Sequence, residues 1–348
     1  MTTHTTPTVL LAEMNDGEEG DFFALMIEKE ELKTRDGKPY FKVGFRDAGR
    51  EVHFPIWQDS AHAHACQQDW TPGEFYKLRA TYRETNYGPQ LDIRKIRPVT
   101  QSDHDDGFDP LMCQPRSRFD PEAMFGELLT LIEEQIEDVA LAALVTHLLT
   151  ENRAEFMTFP AARRNHHAYA AGLLEHTLSV TRTSLQLAEK YQDYYSDMQP
   201  PLSKDLVVAG AILHDIGKLR EYDVGPQGAE YGPAGHLIGH ILQGRDIVRE
   251  AAVTHPVDTE TLLRLEHVIV SHQRLPEWGS PKPPMTPEAT IVHYADDLDA
   301  KYHMVYRTLM EDTQEGPLTS MQNVMRQRVF RGLGATESSD AMVPDTQN

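Results

Sequence analysis

The sequence predicts a multidomain protein, with an N-terminal all-β barrel followed by an all-α domain. Three observations carry this. Apolar and polar residues alternate in short runs through residues 21–98, the pattern of half-buried strands. From residue 121 the apolar period becomes helical and stays so to about residue 330. Between them, residues 99–120 mix acids, prolines and small residues, a linker composition. The barrel is therefore placed at 20–98, the linker at 99–120, the helical domain at 121–332 and a polar, disordered tail at 333–348. A chain of 348 residues has length for two domains.

A first apolar run, residues 22–27, precedes Asp36-Gly37 turn chemistry. Phe41, Val43 and Phe45 then point one way while Tyr40, Lys42 and Arg46 point the other. Val52, Phe54 and Ile56 repeat the inward pattern, and a helical stretch near residues 60–68 follows. Strands at 75–83 and 89–97 meet around Asn86-Tyr87-Gly88. Five strands with a helix after the third fit a Greek-key barrel of the OB type. The stretches GKPYFKVGFRDAGREVHFPIW and YGPQLDIRKIRP resemble an OB-fold nucleic-acid-binding domain. Lys77, Arg79, Arg83, Arg94, Lys95 and Arg97 crowd the last two strands. Bases alternating with aromatics suit single-stranded nucleic acid, which makes Tyr40, Lys42, Arg46, Arg79 and Arg94 candidate substrate contacts. The competing reading of that face is a solvated surface or a domain interface.

In the helical part, Met124, Leu128, Leu131 and Ile132 make one apolar stripe and residues 140–149 another. No apolar run approaches the roughly 20 residues of a membrane span, and the first residues lack the basic start of a secretion signal. Cys66 and Cys113 form neither a metal pattern nor a disulfide framework. Together these predict a reduced cytoplasmic protein with no membrane partner. The net charge of −21 argues against non-specific coating of nucleic acid, because phosphate binding needs local positive charge. It is compatible with a narrow basic groove.

Of the 17 histidines, many cluster between His166 and His303. Five segments carry the chemistry: His176 in AAGLLEHTLSV, His214 and Asp215 in VVAGAILHDIGKLREY, His236 and His240 in GHLIGHI, His267 and His272 in LEHVIVSHQ, and His293, Asp296, Asp297 and Asp299 in IVHYADDLDAK. Asp215 interrupts the most apolar run of the region. A buried carboxylate needs a compensating partner, and its two oxygens can bridge two cations. His176, His214 and Asp296 complete one shell; His240 and His272, with the second oxygen of Asp215, form another. Imidazole and carboxylate donors suit Mn, Fe, Co, Ni or Zn better than a calcium cage. Each histidine taken alone is more often a hydrogen-bonded core residue, and His236 competes with His240. Gly217 relieves crowding just after the pair.

The set in this order, with its HDIGK context, resembles the HD superfamily of helical metal-dependent phosphohydrolases. PAARRNHHAYAAGLLEHTLSV, AILHDIGKLREY, HLIGHI, SHQRLPEWGSPKPP and EATIVHYADDLDAK are similar to the YhaM-type 3′→5′ exoribonuclease family, which joins an OB domain to an HD domain in this order. The sequence departs from many relatives at Gln273, where they carry a second histidine. The resemblance implies metal ligands His176, His214, Asp215, His240, His272 and Asp296. It implies two divalent cations per chain, Mn preferred and Mg, Fe, Co or Ni acceptable, and in-line attack on a phosphodiester by a metal-activated hydroxide. Asp215 and Lys218 are then the catalytic candidates, Lys218 as a stabiliser of transition-state charge. Arg164 and His167 are candidate phosphate contacts. Trp278 and Lys282, in the loop after His272, are candidate substrate contacts, the tryptophan by stacking on a base.

The function this predicts is exonucleolytic hydrolysis of single-stranded RNA, with single-stranded DNA as a second substrate and a homo-oligomer left open. Two alternatives stand beside it. One is an HD enzyme acting on nucleotides or cyclic dinucleotides, and the other a non-catalytic RNA-binding protein with structural metals.

Overall fold

The structure is a computed structural model and describes residues 8–86, 88–105 and 107–333. Tyr87 of the expected turn and the expected tail beyond Leu333 lie outside the described residues. The N-terminal strands are β1 (Glu19–Lys33), β2 (Pro39–Arg46) and β3 (Glu51–Trp57), then helix α1 (Ala63–Gln68), then β4 (Phe75–Thr85) and β5 (Gly88–Pro98). They pair antiparallel in the order β3-β2-β1-β4-β5, and β3 lies against β5 to close the barrel. The long β1 serves two partners. Leu25 to Lys33 pair with β2 and Glu19 to Leu25 with β4, with a register shift between Met26 and Glu28 that bends the strand between them.

The alternation read from sequence sets the register. Phe41 pairs with Ile56, Val43 with Phe54 and Phe45 with Val52, and Val43, Phe45, Val52, Phe54 and Ile56 are buried. With Phe22, Leu78 and Tyr76 they fill the barrel. The opposite face carries the outward partners Tyr40 with Trp57 and Arg46 with Glu51.

The segment expected to be a linker is instead packed onto the barrel. It holds α2 (Ser102–Asp105) and a 3-10 turn, Pro110–Cys113. The Asp103 carboxylate is buried and accepts two hydrogen bonds from Arg97, both at 2.6 Å, and one from the Thr100 amide at 2.8 Å. Phe108 packs its ring 4.9 Å from Phe23 and 5.3 Å from Phe75. The next residues join the helical domain: the Ser117 amide donates to Ala170 O at 3.0 Å.

The helical part runs α3 (Pro121–Gln135), α4 (Val139–Glu151), α5 (Arg153–Phe156), α6 (Gly172–Tyr194), α7 (Lys204–Leu213), α8 (Lys218–Glu221), α9 (Pro233–Leu237), α10 (His240–Ala251), α11 (Thr259–Ser271) and α12 (Pro287–Glu311). Several starts are fixed by side-chain caps, Asp120 before α3, Asp138 before α4, Asp258 before α11 and Thr286 before α12. Helix α7 is the axis of the domain. Every residue from Leu206 to Leu213 is buried, and α3, α4, α6, α11 and α12 all pack on it. None of the described helices is long and apolar enough to cross a membrane.

Two features depart from the sequence reading. A hairpin, β6 (Tyr222–Gly225) with β7 (Gly228–Tyr231), interrupts the helices. The helical period does not continue to residue 330: α12 stops at Glu311, and residues 312–333 are irregular. Asp312 takes extended backbone at the end of α12 and stops the helix there. Asp312 folds the chain back by accepting from the Gln314 and Ser320 amides at 3.0 and 2.9 Å.

A candidate two-cation centre on helix α7

The site is built where α7 ends. His214 and Asp215 follow its last residue, and the chain turns there before α8. The turn lets neighbouring side chains converge, which an unbroken helix would separate by about 100°. His176 comes from α6, His240 starts α10, His272 follows the last residue of α11, and Asp296 lies in α12. His176, His214 and His272 have no exposed surface and Asp215 has 2%.

The donor atoms fall into two groups around Asp215. On one side, His176 Nε2 lies 3.4 Å from Asp215 Oδ2, 3.2 Å from Asp296 Oδ1 and 3.2 Å from His214 Nε2. His214 Nε2 is 3.3 Å from the same Asp215 oxygen. On the other side, Asp215 Oδ1 is 3.5 Å from His240 Nε2 and 3.6 Å from His272 Nε2. One carboxylate therefore addresses two clusters with its two oxygens. Asp215 Oδ1 and His272 Nε2 are both buried with no hydrogen-bond partner. Such orphaned atoms cost about 1–3 kcal/mol each, and a cation between them would remove that cost.

The far nitrogens are organised alike. His214 Nδ1 donates to Ala211 O at 2.8 Å and His272 Nδ1 to Ile269 O at 2.7 Å. His176 Nδ1 donates to Asp299 Oδ2 at 2.8 Å, and His240 Nδ1 to Glu221 Oε1 at 3.0 Å. A histidine whose Nδ1 is held as a donor turns its Nε2 lone pair outward, the tautomer metal ligation requires. Without a cation, the site's charges lean on one another. Burial opposes the charge on Asp215, yet Lys218, His214 and His176 beside it hold the carboxyl well below the usual carboxylate range. Burial likewise opposes protonation of His176, and hydrogen bonds to Asp215, Asp296 and Asp299 outweigh it and raise its pKa.

Gly217 supplies the close approach that joins the two clusters. A Cβ there would stand 1.8 Å from His240 O and 2.5 Å from the Gly244 amide nitrogen. Only a glycine lets the chain after Asp215 press against the start of α10. Lys218 is buried, and its ammonium sits 2.5 Å from Asp215 Oδ2.

Other expected contacts lie elsewhere. His167 is corrected: it is buried, Nδ1 is taken by the Tyr169 hydroxyl at 2.8 Å and Nε2 by Asp299 at 3.0 Å, so neither ring nitrogen is left for phosphate. Its neighbour His166 lies beside the centre, 5.3 Å from the His176 ring. Burial and nearby His176 push His166 down to about 3, so it is neutral at pH 7. Arg164 is exposed and faces a separate hollow with Arg307 and Arg326. His236 contacts Tyr231 and is not among the converging residues. His267 accepts from the Met285 amide, and His293 donates to His272 O at 2.6 Å, bracing the backbone of His272. Trp278 is half-exposed in a 3-10 turn, Pro276–Trp278, and Lys282 is exposed beyond it.

On the barrel, several bases expected to meet substrate are matched by acids. Arg79 donates to Asp21 at 2.8 Å through Nε, Lys42 to Glu28 at 2.9 Å, and Arg94 stands 3.9 Å from Glu19. Arg46 donates to Pro226 O of the hairpin turn at 3.2 Å. It lines a cleft of about 980 Å³ between barrel and helices that reaches Asp299 and His167 from behind but none of His214, Asp215, His240 or His272. Tyr40 stays outward with its ring 5.0 Å from that of Trp57, which is 46% exposed.

Sequence reasoning missed Glu221 and Trp57, and left the roles of His166 and Asp299 open. The signal for Asp299 was present: it lies three residues after Asp296, on the same helix face. Trp57 was visible as the cross-strand partner of Tyr40 once the register was drawn.

Residues 173–301 match the HD domain family. The chain is 33% identical over 317 residues to the 3′-5′ exoribonuclease YhaM of Bacillus subtilis (strain 168), covering 90% of this chain and 95% of that protein. The same figures hold for the YhaM of Bacillus licheniformis. This chain belongs to the YhaM exoribonuclease family. In this YhaM-family chain the HD match takes in all six converging residues and Lys218, and an HD domain binds divalent metal. Among solved structures, the chain is similar to the second OB-fold domain of replication protein A from Methanococcus maripaludis, with 13% identity and a TM-score of 0.21 over 27% of this chain and 97% of that one.

Proposed function

We propose that this protein is a metal-dependent 3′→5′ exonuclease that hydrolyses the phosphodiester bonds of single-stranded RNA, and of single-stranded DNA by the same chemistry. The observation that carries this is Asp215, whose two oxygens each face a separate histidine cluster. His176, His214, Asp296 and Asp215 Oδ2 would hold one divalent ion, and His240, His272 and Asp215 Oδ1 a second, with Mn preferred. Bound there, two such ions supply Lewis acidity at the phosphate and lower the pKa of water.

The chain's own groups do the rest. Asp299 and Glu221 fix the rings of His176 and His240. Lys218, buried against Asp215, places a positive charge beside the scissile phosphate and stabilises charge that builds on its oxygens. His166, held neutral, adds a polar wall without repelling cations. Trp57, exposed beside the half-buried Tyr40, offers a ring face on which a base stacks, and Trp278, in the loop after His272, offers another. Release from the 3′ end and the choice of RNA rest on the activity in the names of the two relatives. Two buried, unpaired cysteines fit the reducing cytoplasm.

Incubating 5′-labelled single-stranded RNA with Mn tests this. The label should remain on a ladder that shortens with time, and Asp215→Ala should give no ladder while keeping the wild-type helical circular dichroism. Immediate release of labelled mononucleotide, or an active Asp215→Ala, overturns the proposal.

A further inference from the structure

The first cluster presents four protein donors, the second only three. Gln273 stands beside the second. It follows His272 directly, and its backbone amide donates to Ser280 Oγ at 3.0 Å, which pins the residue in place. Its side-chain amide nitrogen lies 3.3 Å from His240 Nε2. That spacing falls within the 3.2–3.8 Å separating donors of the first cluster. Because His240 Nδ1 donates to Glu221, His240 Nε2 is the acceptor and the amide caps its lone pair. The oxygen and nitrogen of a side-chain amide exchange places by a half-turn about its last bond.

We propose that Gln273 turns its amide oxygen to the second cation and serves as the fourth protein donor there, with Asp215, His240 and His272. This rests on the two-ion reading above. A cation that takes the His240 lone pair removes the acceptor of the amide N–H, and the half-turn replaces a lost hydrogen bond with an oxygen donor. A neutral amide oxygen is a hard ligand, so it biases the second position towards Mn or Mg over Zn and makes that ion the more exchangeable. Gln273 and Ser280 also bracket the loop that carries Trp278, so occupation of the second position anchors the loop's base.

Metal-free full-length protein titrated with Mn(II), with free ion followed by electron paramagnetic resonance, tests this. Wild type should bind two ions. Gln273→Leu should keep the affinity of the first ion and bind the second 10–100-fold more weakly, the usual loss when a metal site is deprived of a supporting group. Gln273→Glu should bind the second ion more tightly than wild type. Leu and Glu variants that both titrate as wild type overturn the proposal, as does a Leu variant that loses both ions together. A wild type that binds a single ion refutes the two-ion reading itself and is distinguishable from either result.

Discussion

Gly217→Ala should break one cation position and spare the other. The added methyl would meet His240 O at 1.8 Å, where ordinary contacts begin at 3.4 Å. The start of α10 must therefore retreat by about 1.5 Å, because neither backbone can deform into a close-packed interior. His240 Nε2 now stands 3.5 Å from Asp215 Oδ1, and ligation tolerates errors of only about 0.2 Å. A shift several times larger removes His240 from the second position. His176 and Asp296 come from α6 and α12, away from the clash, so the first position keeps these donors. The overpacking itself costs about 1–3 kcal/mol, less than the usual stability of a domain. Metal analysis after Mn loading should fall from two ions to one, and exonuclease turnover by about 100-fold, the order expected for an ångström-scale misplacement. Circular dichroism should stay helical. Two ions bound at wild-type affinity would refute the packing argument.

Asp299→Asn should weaken the first ion by about 10–100-fold in the same titration, since it removes the carboxylate that orients His176; unchanged affinity would return Asp299 to a purely structural role. Trp278→Ala should raise the apparent KM for RNA at unchanged metal content, whereas Lys218→Ala should lower kcat at unchanged metal content, because stacking acts in ground and transition states alike and a charge aimed at the developing oxyanion does not. Tyr40→Ala with Trp57→Ala should weaken binding of long single-stranded RNA, at about 1–3 kcal/mol per lost stack, and leave hydrolysis of bis-p-nitrophenyl phosphate intact; equal losses on both substrates would deny the barrel a guiding role. Asp103→Ala should destabilise the chain by about 1–3 kcal/mol in urea, because the Thr100 amide loses its acceptor while the half-exposed Arg97 stays solvated.

Much of this molecule was legible because its signals are periodic. Phe41, Val43 and Phe45 against Val52, Phe54 and Ile56 give both strands and register, since a slip of one residue would turn each of them to solvent. His214-Asp215 was legible because a buried acid after an apolar run needs an explanation, and the two-sided use of Asp215 followed from carboxylate geometry. What escaped was set by single tertiary contacts. Phe108 and Asp103 sit among acids and prolines with no period, so nothing local says that both are buried on the barrel. The choice of His166 over His167 depends on which ring Asp299 captures. Glu221 is an ordinary helix-end acid until the fold brings the start of α10 to it. The barrel's bases looked free because their acids, Asp21, Glu28 and Glu19, come from the first strand.

The most direct test of the account is where cations bind. Crystals of the full chain loaded with Mn should give two anomalous peaks about 3.5–4 Å apart, the usual spacing of a paired site. They should flank Asp215, one among His176, His214 and Asp296 and the other between His240 and His272. A single peak, or a second peak away from His240 and His272, would contradict it.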